Sequence, residues 1–264
     1  MKKIFAAAVI AGAASSAAVA QTNASNDPLA TRGGWEAGGQ IASYHYEEPN
    51  FAKLIGPRVG AVGAYTFVPG RMFIKADVRG SVGSLEYQGT GTQDSVPDYI
   101  FETRVVAGTD FRAGGSVAFS PYAGLGYRYL YDDLRGYTQV GNKTFAGYRR
   151  YSSYLYAPVG LTARFRIHDR WVLAPMVEYD YFIRGKQITK LSDAGSGFPD
   201  ITNTQTSGYG YRLAVMAEKD RFAFGPWMNY WKIGDSDTVT VNSTTGLEPA
   251  NWTREVGLEF RYRF

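Results

Sequence analysis

The chain has 264 residues, with 28 Lys and Arg against 24 Asp and Glu, and no cysteine. Without thiols there is no disulfide, no cysteine nucleophile and no thiolate metal site. The formal charge of +4 includes no Lys/Arg run longer than Arg149-Arg150, so nucleic acid is excluded as an expected partner.

Lys2 and Lys3 precede an apolar run from Ile4 to Ala13, and Ala18-Val19-Ala20 stands before Gln21. This is the pattern of a secretory signal over 1–20, cleaved after Ala20. The run is too short to span a bilayer as a helix, and no polar face recurs to make it an amphipathic one. Its removal takes two lysines from the charge, which weakens any argument from the pI of 9.1. Residues 21–34 are polar and without period, and read as a flexible lead. Residues 35–264 read as one domain. Ten alternating segments follow, near 35–47, 54–68, 72–87, 99–112, 117–132, 151–167, 171–187, 207–218, 222–235 and 252–264. Short turns at Pro69-Gly70-Arg71, Ala113-Gly114-Gly115, His168-Asp169-Arg170 and Lys219-Asp220-Arg221 join some of them. The other connections, near 48–53, 88–98, 133–150, 188–206 and 236–251, are mostly longer and polar.

Successive strand side chains point to opposite faces. In the last segment Val256, Leu258, Phe260, Tyr262 and Phe264 oppose Glu255, Gly257, Glu259, Arg261 and Arg263. In 117–132, Leu125, Tyr127, Tyr129 and Tyr131 oppose Gly124, Gly126, Arg128 and Asp132. In 171–187, Val177, Tyr179, Tyr181 and Ile183 oppose Glu178, Asp180, Phe182, Arg184 and Lys186. A secreted sandwich also alternates, but its polar face needs only ordinary surface residues. Here that face mixes Arg, Glu and Asp with Gly, and the apolar face carries aromatics at its ends. Short turns at one end and long loops at the other complete the expectation: an all-β, transmembrane, antiparallel up-and-down barrel of ten strands.

The signal and the closing run Val256-Gly-Leu-Glu-Phe-Arg-Tyr-Arg-Phe264 resemble those of small bacterial outer-membrane barrels. The resemblance implies that Phe260, Tyr262 and Phe264 form the signal read by the barrel-assembly machinery. It also implies residence in the outer membrane beside its lipids and lipopolysaccharide. The strand count is similar to omptin proteases and ten-stranded adhesins, an architectural likeness only. The omptins cut with acidic residues and a His-Asp pair at the extracellular rim. Only His45 and His168 are present. His168 falls in a short turn, and no Asp lies two residues from His45, so the dyad does not map.

The inward face is expected to carry eleven cations and ten carboxylates. Among them are Lys75, Arg79, Arg104, Arg128, Arg164, Arg166, Arg184, Lys186, Arg212, Arg261 and Arg263. The acids are Glu36, Asp77, Glu102, Asp110, Asp132, Glu178, Asp180, Glu218, Glu255 and Glu259. An anion pore would need one-sided charge. A balanced set predicts paired side chains crossing, and plugging, a narrow lumen. The expected role is structural or surface-binding, without a cofactor. The alternatives are an omptin-like or lipid-modifying hydrolase at the rim, and a narrow solute channel. Asp132-Asp133 could hold a divalent cation or activate water with His45. Ser43 and His45 share a face, as a lipid hydrolase would require. Gly89-Thr90-Gly91 lacks the context of a phosphate loop. The loop 136–150 is basic and aromatic, and faces acidic loops around Asp193 and Asp235-Ser236-Asp237.

Overall fold

The computed structural model describes residues 27–264. The segment read as a signal lies outside them. Ten long strands form the body: β1 (Gly34–Glu48), β2 (Ala52–Phe67), β3 (Met72–Gly89), β4 (Gly91–Thr109), β5 (Val117–Asp133), β6 (Arg149–His168), β7 (Trp171–Thr189), β8 (Gly208–Lys219), β9 (Phe222–Ile233) and β10 (Asn251–Arg263). Each pairs antiparallel with its neighbour in the chain. β1 then pairs with β10, from Glu36 opposite Arg263 to Glu47 opposite Trp252, and the ring closes. Closure satisfies the backbone groups that an open edge would leave unpaired, which lipid cannot satisfy.

The outward face is apolar. Ile41, Val59, Val78, Val82, Val105, Leu125, Val159, Val177, Leu213, Val215, Val256 and Leu258 are all exposed. Aromatic residues bound this band. Near the short turns stand Trp35, Phe67, Phe111, Phe222 and Phe264. Toward the long loops Tyr99 stacks on Tyr131 with ring centres 5.3 Å apart, and Tyr179 and Tyr211 are 5.4 Å apart. A large exposed apolar surface on a closed barrel, with two girdles, is the anatomy of a membrane-spanning barrel.

Strands run from 12 to 20 residues, whereas crossing the hydrocarbon needs about 9–11. The excess stands beyond the girdle on the long-loop side. There the sequence boundaries fall short. The expected loop 88–98 is a continuous β3–β4 hairpin, with Gly89 opposite Gly91. The loop 133–150 contains a hairpin of Tyr137–Val140 with Lys143–Ala146. Ile201–Gln205 adds to the outer end of β7. Above the membrane the outer face of a strand no longer meets lipid, so alternation loses its contrast.

The described part of the lead, from Asp27 onward, differs from its reading. Leu29 is fully buried against Ala118 and Val172. The Thr31 amide and hydroxyl donate to Asp110 at 2.7 and 2.8 Å, and Arg32 bonds the Asp220 carbonyl. Residues 27–33 thus pack across the short-turn end of the barrel.

Candidate functional site

The inward face is layered, and the register makes the layers. Arg79, Glu102 and Arg128 are consecutive partners across β3, β4 and β5. Glu178, Arg212, Asn229 and Glu255 are consecutive partners across β7, β8, β9 and β10. The two rows face each other across the lumen. Arg79 donates to Glu102 at 2.9 Å and to Glu255 at 3.1 Å. Arg128 donates to Glu255 at 3.2 Å, with Glu102 3.7 Å away. Arg212 donates to Glu102 at 2.8 Å and lies 3.0 Å from Glu178. Arg104 clasps Asp77 at 2.9 and 3.0 Å and Glu178 at 2.5 and 2.7 Å. Tyr156 and Tyr122 donate to Glu102 and Glu178 at 2.5 and 2.8 Å. The four arginines of this layer meet four carboxylates, and Arg79 and Arg128 also cover the faces of Trp227 and Trp231. Glycine makes room for the tyrosines: a Cβ on Gly126 or Gly160 would overlap the rings of Tyr156 or Tyr122.

Toward the short turns, Glu36 accepts from Lys75 at 3.1 Å and from Arg263 at 2.5 Å, with Arg261 3.6 Å away. Arg263 also donates to Glu218 at 2.9 Å, and Arg261 bonds Glu259. Arg164 donates to Ser120 at 2.7 Å, 3.9 Å from Asp110. Arg166 is half exposed at the mouth, 3.6 Å from Asp27.

Toward the long loops the lumen is apolar. Tyr44, Leu54, Leu85, Val96, Ile100, Leu130, Tyr154, Phe182 and Trp231 form one buried cluster. The sequence reading missed this layer, and also missed the charges set in it. Arg58 pairs with Asp98 and lies 4.1 Å above the Tyr44 ring. Arg150 bonds Glu48 at 2.6 Å, Tyr46 at 2.8 Å, and Glu248. Asp98, Arg150, Glu48 and Glu248 all come from stretches read as loops. The extended inward alternation of Val96, Asp98, Ile100 was the available signal. Burial pushes the Glu248 carboxyl up to about 7, opposed by Arg150 and reinforced by Glu48.

Two expected lumen residues require correction. Arg184 and Lys186 lie outside, because a bulge between Phe182 and Arg184 inverts the alternation of β7 beyond it. Asp180 is inward and buried, but makes no hydrogen bond through either oxygen. Asp132 and Asp133 do not converge. Asp132 is buried inside, while Asp133 is gripped by Arg135 at 2.6 and 2.8 Å. Adjacent strand residues cannot share a face. His45 points outward, 3.1 Å from Glu47 and against Trp252, with ring centres 4.5 Å apart. His168 sits in its turn 3.0 Å from Asp169. Phe260, Tyr262 and Phe264 line the outer wall, with Phe222 packed against Phe260 and Tyr262. Among the loops, Arg149 binds Asp193 at 2.7 and 2.8 Å and its bonds hold that carboxyl down to about 2.

No family model and no curated protein sequence matches the chain. Among solved structures, the outer membrane protease OmpT of Escherichia coli is similar over 87% of this chain and 96% of its own, with a TM-score of 0.55 at 11% identity. The Neisserial surface protein A aligns over 87% of this chain and 97% of its own at 12% identity, with a TM-score of 0.37. The transport unit of the Escherichia coli autotransporter AIDA-I aligns over 89% and 91% at 8% identity, with a TM-score of 0.45. The apolar band and its girdles place this barrel in an outer membrane, and the closed ring, similar to the protease over 87% of this chain, gives the chain the fold of the small bacterial outer-membrane β-barrels.

Proposed function

We propose that the protein is a non-enzymatic barrel with a structural or surface-binding role, and that its lumen is closed to ion flow. One observation carries this reading: opposed rows of paired charges cross the mid-lumen, and a buried apolar cluster seals the space above them. Ions crossing such a cluster would lose hydration, and the charged groups set in it are already paired with one another. The long loops supply the binding surface, on a scaffold made rigid by closure. Arg184 and Lys186 face outward beside the tyrosine girdle, where lipopolysaccharide phosphates are the expected neighbours. Rim catalysis is disfavoured by the setting of His45, whose ring bonds Glu47 and packs on Trp252 on the outer wall. Planar-bilayer recording tests the reading. Purified, folded protein is expected to give little or no steady conductance, and large stable single-channel steps would overturn it.

A further inference from the structure

We propose that the periplasmic half of the lumen binds a small tetrahedral oxyanion, of the phosphate or sulfate class, admitted from the short-turn end. This goes beyond the closed-barrel reading and is compatible with it, because the site lies below the seal.

The first observation is a space. A cavity of about 160 Å³ lies beneath the mid-lumen charge layer. A water molecule needs roughly 10–15 Å³ of such space, so the cavity has room for one oxyanion among several waters. A second, wider cavity at the mouth is lined by Arg71 and Arg112 together with Asp27 and Asp110, and shares Thr31 with the first. The shared residue sets the two spaces next to each other at the packed lead.

The second observation is the sign of the walls. Eight cationic side chains and four carboxylates line the inner cavity. Arg79, Arg104 and Arg212 are balanced by the acids of the middle layer. The other five are Arg32, Lys75, Arg164, Arg261 and Arg263. They meet Glu36, Glu218 and Glu259, and Asp110 behind the wall. Asp110 is already engaged, with Thr31 donating to both of its oxygens and Ser120 donating at 2.6 Å. Arg164 therefore bonds only a hydroxyl, although a guanidinium carries five donors.

The third observation is a surplus of buried donors. Trp227 and Arg79 line the cavity, are more than nine-tenths buried, and leave Trp227 Nε1 and Arg79 Nε without a partner. The unpartnered acceptor on this wall is Gln40 Oε1, and turning its amide would present two further donors. An oxyanion supplies what the walls lack: several acceptor oxygens and negative charge. Charge-assisted bonds from guanidinium to such oxygens are the strong ones.

The test uses the full chain, folded in detergent and freed of phosphate. Equilibrium dialysis with radiolabelled inorganic phosphate is expected to show one saturable site from which sulfate competes. Arg164→Gln should weaken binding about tenfold, the loss of one charge-assisted contact. Ala214→Leu keeps every charge but narrows the cavity, and should weaken binding at least tenfold while the barrel remains heat-modifiable on a gel. No saturable uptake by the wild type would overturn the proposal. So would Ala214→Leu binding as well as wild type, which would put the anion elsewhere. Conductance of the same preparation decides the closed-lumen reading separately.

Discussion

At the scale of single residues, the balance of charge inside the barrel is what matters. Arg128 is completely buried between Glu255 and Glu102, and Glu178 between Arg104 and Arg212. Removing one member strands its partners in a medium that solvates them poorly, at a cost of about 3–5 kcal/mol. Asp133 instead pairs with the exposed Arg135, and such pairs contribute less than about 1 kcal/mol. Arg128→Ala and Glu178→Ala should therefore lower the thermal unfolding temperature well beyond Asp133→Ala, in parallel melts followed by circular dichroism. Equal shifts would show that the inward pairs do not stabilise the barrel. Most of these residues were legible in advance, because Glu102, Arg104, Arg128 and Glu178 alternate cleanly with apolar neighbours. Arg184 was not, since the bulge beside it adds a residue that no local pattern announces.

At the scale of elements, two segments have separable behaviour. The last long loop is tied in by Glu248, which reaches Arg150 beside Glu48 and Tyr46, with Asp132 also near Arg150. The folded pKa of Glu248 lies above the unfolded carboxylate value of about 4.3, so folding favours its protonated form. Its contribution to stability is fully present below the unfolded value and is lost as pH rises through about 7, where a buried carboxyl must carry charge. Amide exchange in 236–250 is expected to be faster at about pH 8 than at about pH 5.5 after correction for intrinsic rates. Glu248→Gln should flatten the difference. β10 has a different role. Its outward aromatics end on Phe264, and the proposed assembly signal predicts that Phe264→Asp lowers outer-membrane yield and raises periplasmic proteolysis. A yield equal to wild type, measured by fractionation and immunoblot, would make the aromatic end incidental.

At the scale of the whole molecule, closure governs stability. Every long strand is held on both sides, so no strand can leave without breaking two ladders. Such a barrel should resist detergent at room temperature, migrate anomalously on a gel without boiling, and shift only after heating. It should fractionate with outer membranes. A soluble periplasmic product would contradict the barrel. The apolar seal within the outer half is the other feature of this scale. It draws Tyr44 from β1, Leu85 from β3, Val96 and Ile100 from β4, Tyr154 from β6 and Trp231 from β9.

The sequence alone determined the class, the strand count and the direction of most side chains. Each depends on period-two alternation, a local property written in consecutive residues wherever one face meets lipid. The tertiary structure decided what the inward residues meet. Arg79 and Glu255 are 176 positions apart and touch because ring closure sets their strands across one lumen. Arg58 and Asp98, Glu248 and Arg150, and the packed lead beneath the cavity depend on the same closure. Beyond the membrane the lipid no longer enforces contrast between faces, and there the pattern fades while the pairing continues.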